Sequence, residues 1–449
     1  MKTPICDFVN TYNNKSPIRL HMPGHKGKAC LGTEGLDITE IMGADSLYEA
    51  NGIIKQSEDN ASSIFGSAAT LYSTEGSSLC IRAMLELSRG YALSKGQKPF
   101  ILAGRNAHKV FTLTAGLLDY DVEWLRSQKC SYLSCNIMAD DVEKKLCSLE
   151  RKPTALYLTT PDYLGNIIDL KSISEVCAKY GVLLLVDNAH GAYLKFLSPS
   201  LHPIDLGADL CCDSAHKTLP ALTGGAYLHI SKNCESYFVQ NAKEAMALFG
   251  STSPSYLILQ SLDKLNLYLS NGYKEKLSTF ILRLNNLKSR LALKGFTLIG
   301  NEPLKLTIST KPFGYLGTDF AKLLENRNII CEFCDPDYIT FMLTLENTKA
   351  EVEALEKALL SVPKKESICG FSPNAVVSKA TTSIKKSLFG PKEEIAVNLA
   401  LGRILASANV GCPPAVPIIS AGEIITEEAI KAFEYYGIKK VKVLVLKDK

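Results

Sequence analysis

Asp209-Leu210-Cys211-Cys212-Asp213-Ser214-Ala215-His216-Lys217-Thr218 is a short apolar run that breaks directly into a polar turn. Residues 209–212 read as a strand, and the turn places Ser214, His216 and Lys217 where open α/β sheets bind ligands, at the carboxyl ends of their strands. Working outward, further short apolar runs lie at 99–103 (PFILA), 155–159 (ALYLT), 182–186 (VLLLV) and 226–230 (AYLHI). Amphipathic stretches at 77–93, 107–118 and 171–180 separate them. Apolar runs bounded by turn residues and separated by helices predict βαβ units and a mostly parallel sheet.

The chain has 449 residues, enough for two or three domains. Residues 1–60 are rich in Gly, Pro and charge and are expected to form an N-terminal arm. Residues 61–280 are expected to form the large domain, and Ser253-Pro254 opens a helical stretch to about 293. Residues 281–365 alternate strand-like segments (296–299, 305–309, 339–345) with helical ones (317–327, 348–361), as in a small α+β domain. Residues 366–449, with a Pro-rich stretch at 412–417, form a C-terminal domain.

A formal charge of +4 excludes the dense cationic face of a nucleic-acid binder. The longest apolar runs fall far short of the ~20 residues that span a membrane. MKTPICDFVN at the N-terminus lacks the apolar core of a secretory signal. A cytoplasmic location is therefore expected, with the 14 cysteines reduced. Cys331-x-x-Cys334 has no second pair or nearby His to complete a zinc site, and Pro23-Gly24 between His21 and His25 argues against a helical metal pair. No metal is expected.

Lys217 is a nucleophile if partial desolvation lowers its pKa; alone, a solvated loop lysine is the commoner meaning. Asp187 ends the run Gly181-Val182-Leu183-Leu184-Leu185-Val186-Asp187, 30 residues before Lys217. It reads equally as a helix cap or as the carboxylate partner of a pyridine nitrogen. Thr74-Glu75-Gly76-Ser77-Ser78 precedes an amphipathic helix, and hydroxyls at a helix N-terminus suit a phosphate or a simple cap. His108, after the strand ending at Ala103, is a candidate for stacking on a ring or an ordinary histidine. A lysine, a carboxylate, a phosphate loop and an aromatic ring are together the needs of pyridoxal 5′-phosphate (PLP).

The ordered motifs resemble the ornithine/lysine/arginine decarboxylases, nearly end to end, in their short bacterial form. His21-Met22-Pro23-Gly24-His25-Lys26-Gly27 matches the N-terminal HxPGHxxG, and Asp37 to Gly43 and Gly66 fit the following segment. Thr160-Pro161-x-Tyr163-x-Gly165, Asp187-x-Ala189-His190-Gly191, residues 214–226 and Thr252-Ser253-Pro254-Ser255 match the core. Pro413-Pro414, Pro417 and Gly422-Glu423 match the tail. The resemblance implies an α/β, aspartate-aminotransferase-like PLP fold type I with a mostly parallel central sheet and smaller C-terminal α+β domains. It implies that Lys217 joins the cofactor's aldehyde, that Asp187 keeps the ring nitrogen protonated, and that His108 stacks on the ring. Ser77, Ser78, Ser214 and His216 are implied to hold the phosphate, His190 to sit near the ring, and Thr252 and Ser253 to reach a phosphate in a partner subunit. A homodimer or higher homo-oligomer is implied too, as is a place in polyamine biosynthesis. Two departures stand out: Glu75-Gly76-Ser77 where many relatives have Asn-Gly-Thr, and Cys412-Pro413-Pro414-Ala415 where Tyr-Pro-Pro-Gly is usual.

The expected reaction is decarboxylation of lysine, arginine or ornithine to the amine and CO2. The distal cation of such a substrate needs a carboxylate, with Glu332, Asp335 and Glu423 as candidates. An aminotransferase of the same fold would instead want an Arg clamp on the substrate carboxylate, for which Arg403 is the candidate. A PLP-fold protein that binds without turnover is the alternative of a different class.

Overall fold

The structure, a computed structural model, describes residues 1–28, 30–126, 132–370, 372–373, 375, 378–408, 411–412 and 416–445. They gather into two compact units, Met1–Gly96 with Leu183–Ser278, and Gln97–Val182 with Thr279–Lys449. Seven strands carry the fold: β1 (Ala69–Ser73), β2 (Phe100–Gly104), β3 (Asp121–Leu125), β4 (Ala155–Thr159), β5 (Leu183–Asp187), β6 (Leu210–Asp213) and β7 (Ala226–Ile230). Between and around them run α1 (Pro4–Asn14), α2 (Ile53–Phe65), α3 (Ser77–Ser94), α4 (Lys109–Leu117), α5 (Ala139–Ser148), α6 (Leu170–Tyr180), α7 (Ala215–Thr218), α8 (Ser236–Ala247), α9 (Tyr256–Ser270) and α10 (Tyr273–Lys294).

In the first unit the strand order is β1-β7-β6-β5. β5 and β6 are parallel, with Asp187 opposite Cys212, while β7 is antiparallel to both β6 and β1. Every residue of β6 and β7 is buried, which is why they appear in the sequence as unbroken apolar runs. The N-terminal arm is more ordered than expected. α1 buries Ile5, Cys6 and Val9, and the Cys6 N–H donates to Asp263 Oδ2 on α9 at 3.0 Å. Ser57 on α2 donates to Asp263 Oδ1 at 2.6 Å, so one carboxylate fastens both helices. The single helical stretch expected after Pro254 is two helices, divided at Asn271-Gly272.

In the second unit β4-β2-β3 are parallel neighbours. A separate antiparallel sheet, ordered β10-β11-β9-β8, is built from β8 (Thr297–Ile299), β9 (Lys305–Ser309), β10 (Phe333–Cys334) and β11 (Tyr338–Met342). α11 (Gly317–Glu325) and α12 (Lys349–Ser361) accompany it. α12 starts where a capping box puts it: Thr348 Oγ1 accepts from Glu351 N at 3.2 Å and Glu351 Oε2 accepts from Thr348 N at 2.7 Å. The C-terminal segment pairs Lys392–Ala396 with Lys440–Leu444 over a core that includes Val397, Leu405, Ile425, Phe433 and Val443. Among the described residues no helix is long and apolar enough to cross a membrane.

Candidate active site

The first unit brings the sequence-predicted lysine, carboxylate and serines to the ends of adjacent strands. Lys217 lies in α7, the single helical turn after β6. His216 anchors that turn, its backbone N–H and its ring Nδ1 both meeting the Gly225 carbonyl, at 3.1 and 2.9 Å. A carbonyl only accepts, so Nδ1 carries the proton. Burial pushes the His216 imidazole below its usual range, against the opposing pull of that carbonyl. The Lys217 Nζ stands 3.1 Å from His190 Nε2. His190 is buried, in the turn that follows β5.

Asp187 closes β5 and is buried. Its Oδ1 accepts from Ala189 N at 3.2 Å and from the Cys212 thiol at 3.6 Å. The cap-like contact is thus present, and the carboxylate is also fixed across the sheet to β6. Gly76 begins α3 with φ +71°, a left-handed conformation that favours glycine, and its N–H donates to the Gly224 carbonyl at 2.8 Å. Ser214 Oγ donates to Ser77 Oγ at 2.8 Å, so the first turn of the 18-residue α3 and the turn bearing Lys217 share a hydroxyl pair. Ser78 follows in that first helical turn, whose N–H groups lack intrahelical partners. Glu75 turns its carboxylate to Ser251 N at 2.6 Å, in the loop that carries the exposed Thr252 and Ser253.

The donor set fits PLP. Serine hydroxyls at a helix N-terminus suit a dianionic phosphate, a buried carboxylate suits a protonated ring nitrogen, and a lysine amine suits an aldehyde.

Other predicted residues lie in the second unit. His108 is the N-cap of α4, its Nδ1 accepting from Val110 N at 3.2 Å. Glu423, 1% exposed, ion-pairs with Arg105 at 3.4 Å and Arg126 at 3.2 Å and accepts from Ser420 N. Asp335, also buried, accepts from Asp337 N and Tyr338 N. Glu332 is exposed. Arg403 is tied to Glu393 at 2.6 Å and to the Leu444 carbonyl at 2.8 Å. Residues 413–415 of the tail motif lie outside the described residues. His21 and His25 go to separate partners, Tyr12 at 2.6 Å and Asp37 at 3.2 Å. Cys212, Asn188 and Asp213 also belong to this region, and all three stand within or beside the quoted motifs. Their signal is position only: Cys212 and Asp213 close β6, and Asn188 follows β5.

The family model described as "Orn/Lys/Arg decarboxylase, major domain" matches residues 3–300. The chain belongs to the Orn/Lys/Arg decarboxylase family. Enzymes of this family are PLP-dependent amino-acid decarboxylases, acting on basic amino acids. YaaO of Bacillus subtilis (strain 168), itself uncharacterized, is 30% identical over 465 residues, covering 96% of this chain and 93% of the relative. An arginine decarboxylase of Halalkalibacterium halodurans is 29% identical over 465 residues, covering 95% of this chain and 91% of the relative. The crystal structure of the Francisella novicida lysine decarboxylase LdcF matches with a TM-score of 0.81 at 18% identity, over 99% of this chain and 81% of that one. That likeness shows the fold, and it bears out the PLP fold type I expected from the family's motifs.

Proposed function

We propose that this chain removes the α-carboxylate of lysine, arginine or ornithine as CO2 and releases the amine, with PLP held through Lys217. The observation that carries the proposal is the Lys217 Nζ at a strand end, 3.1 Å from His190 Nε2 and one strand away from the buried Asp187. Bound there, the cofactor supplies an electron sink for the pair left behind when the bond from Cα to the carboxylate breaks.

The chain supplies the rest. Ser77, Ser78, Ser214 and His216 hold the phosphate, and Thr252 and Ser253 are assigned to a phosphate of a partner subunit. Asp187 keeps a proton on the ring nitrogen, and a buried anion does so more strongly than one in water. His108 supplies a flat ring for stacking. His190 Nε2 takes a proton from Lys217 Nζ, which leaves the amine nucleophilic, and returns it when Cα needs a proton. Burial of Asp187, His190 and Ser214 excludes water from these transfers.

Arg403 bears on the choice between reactions. A bidentate Arg on the substrate carboxylate stabilises the charged ground state over departing neutral CO2, which serves transamination. Its guanidinium is engaged by Glu393 and the Leu444 carbonyl, which favours decarboxylation. Among the three acids considered for the distal cation, Glu423 is buried and engaged by Arg105 and Arg126, and Asp335 is buried with its Oδ1 taken by two backbone N–H groups, which leaves the exposed Glu332 as the proposed partner.

Incubating the PLP-loaded protein with L-lysine, L-arginine and L-ornithine separately tests the reading. Amine and CO2 from one of the three in equal amounts is expected. Keto-acid formation, or binding of all three without product, overturns it.

A further inference from the structure

The two turns that supply the proposed site are joined behind it by a polar cluster without solvent exposure. Asp213, Asn188, His202 and His229 are each 0% exposed. Asp213 Oδ1 accepts the amide Nδ2–H of Asn188 at 2.6 Å. Its Oδ2 accepts from Nε2 of His202 and of His229, at 3.0 Å each. The far nitrogens of the rings are engaged as well: His229 Nδ1 meets Thr70 Oγ1 at 2.8 Å, and His202 Nδ1 accepts from Ile204 N at 3.4 Å. With the Nε2 proton on each ring, both imidazoles are satisfied while neutral. Burial acts to raise the Asp213 carboxyl, and the two facing imidazoles more than reverse it, holding it well below the usual carboxylate range. His202, Cys211 and Asp213 approach closely enough to share a metal ion. Both ring nitrogens of each histidine are already hydrogen-bonded, however, so the cluster is complete as a carboxylate with its donors.

Asn188 is the member that touches the site's own turn. It lies between Asp187 and His190, and its backbone N–H donates to the Cys212 carbonyl at 3.0 Å. Its side chain fills the space that glycine leaves: a Cβ on Gly191 would stand 2.0 Å from Asn188 Oδ1. That contact is a physical reason for glycine at the end of Asp187-x-Ala189-His190-Gly191.

We propose that the Asn188–Asp213 pair is a positioning device, fastening the turn that carries Asp187 and His190 to the turn that carries Lys217. The proposal rests on the roles given above to Lys217 and Asp187. Without the tie, the two turns keep the Asn188–Cys212 backbone bond, the long Cys212–Asp187 contact and the Lys217–His190 contact, and displacements of an ångström at a reacting pair are costly.

Asn188→Ala in the PLP-loaded protein tests it, because Asp213 and both histidines stay in place. The variant is expected to fold by circular dichroism and to retain the cofactor on Lys217 after borohydride reduction. Its cofactor is expected to be released roughly tenfold faster, and kcat to fall roughly tenfold with KM little changed. A lower melting temperature with unchanged cofactor release and unchanged kcat overturns the proposal. Asp213→Asn is the second arm. Once the Asn188 amide turns over, the new amide can donate to Asn188 Oδ1, which is buried and has no hydrogen-bond partner, while its oxygen still serves the histidines. This variant is expected to release cofactor at nearly the wild-type rate, and a folded Asp213→Asn protein that loses cofactor tenfold faster also overturns the proposal. If Asn188→Ala fails to fold, the second arm decides alone. Absence of label on Lys217 in the wild-type protein is a separate result, and it defeats the functional reading rather than the tie.

Discussion

Asp187 concentrates the chemistry of the proposed site in one carboxylate. Its Oδ1 accepts from Ala189 N and from the Cys212 thiol. Asp187→Asn preserves the shape and an acceptor oxygen, so the fold and much of the cofactor affinity should survive. A neutral amide does not hold a ring nitrogen protonated, and loss of several kcal/mol from the transition state means roughly 10³-fold or more in rate. Were Asp187 only a cap, the same change would cost at most about 1 kcal/mol of stability and leave turnover near wild type. Melting temperature and decarboxylation rate on one preparation separate the two. Lys217 and Asp187 stood out in the sequence because Asp187 ends one apolar run and Lys217 lies in the polar turn that follows another, and strand ends are where such sheets act. Asn188 and Asp213 were not, because their meaning depends on His202 and His229, which come together only once β5, β6 and β7 are side by side.

At the scale of elements, legibility followed burial. β4 to β7 are runs of buried residues and stood out. β3 (Asp121–Leu125) is largely half-buried and mixes Asp and Glu with apolar residues, so no apolar run marks it. α1 escaped because it lies in a stretch rich in Gly, Pro and charge, which reads as an irregular arm. The turn between β10 and β11 shows a feature that no pattern announces. Asp335 is buried with Oδ2 unpartnered, and burial pushes its carboxyl up to about 6, with Asp337 adding to the rise and Lys311 opposing it. A carboxyl raised in the folded state binds its proton more tightly there than in the unfolded chain. Its stability contribution is therefore fullest below the unfolded value near 3.8 and is lost as pH rises through about 6. Asp335→Asn should stabilise the protein by up to about 3 kcal/mol at pH 7.5 and by less than about 1 kcal/mol near pH 4. Chemical denaturation at the two pH values checks this; equal effects at both would refute the ionisation account.

For the whole molecule, the N-terminal arm poses the largest question. Ile18, Leu20, Leu31 and Met42 are 88%, 89%, 86% and 100% exposed, an apolar display that one copy of the chain leaves uncovered. A homodimer in which the arm packs on the partner follows as a proposal, in keeping with the family motif the arm carries. Sedimentation at micromolar concentration should report a dimer, and Ile18→Glu with Leu20→Glu should shift it toward monomer; a wild-type monomer with full turnover would contradict this. The central claim, that Lys217 holds PLP, can be tested most directly without any substrate. Borohydride reduction of the PLP-loaded protein, followed by peptide mapping, should place a pyridoxyl group on Lys217 alone, and Lys217→Ala should take none. A pyridoxyl group on another lysine, or none on the wild-type chain, would contradict the account.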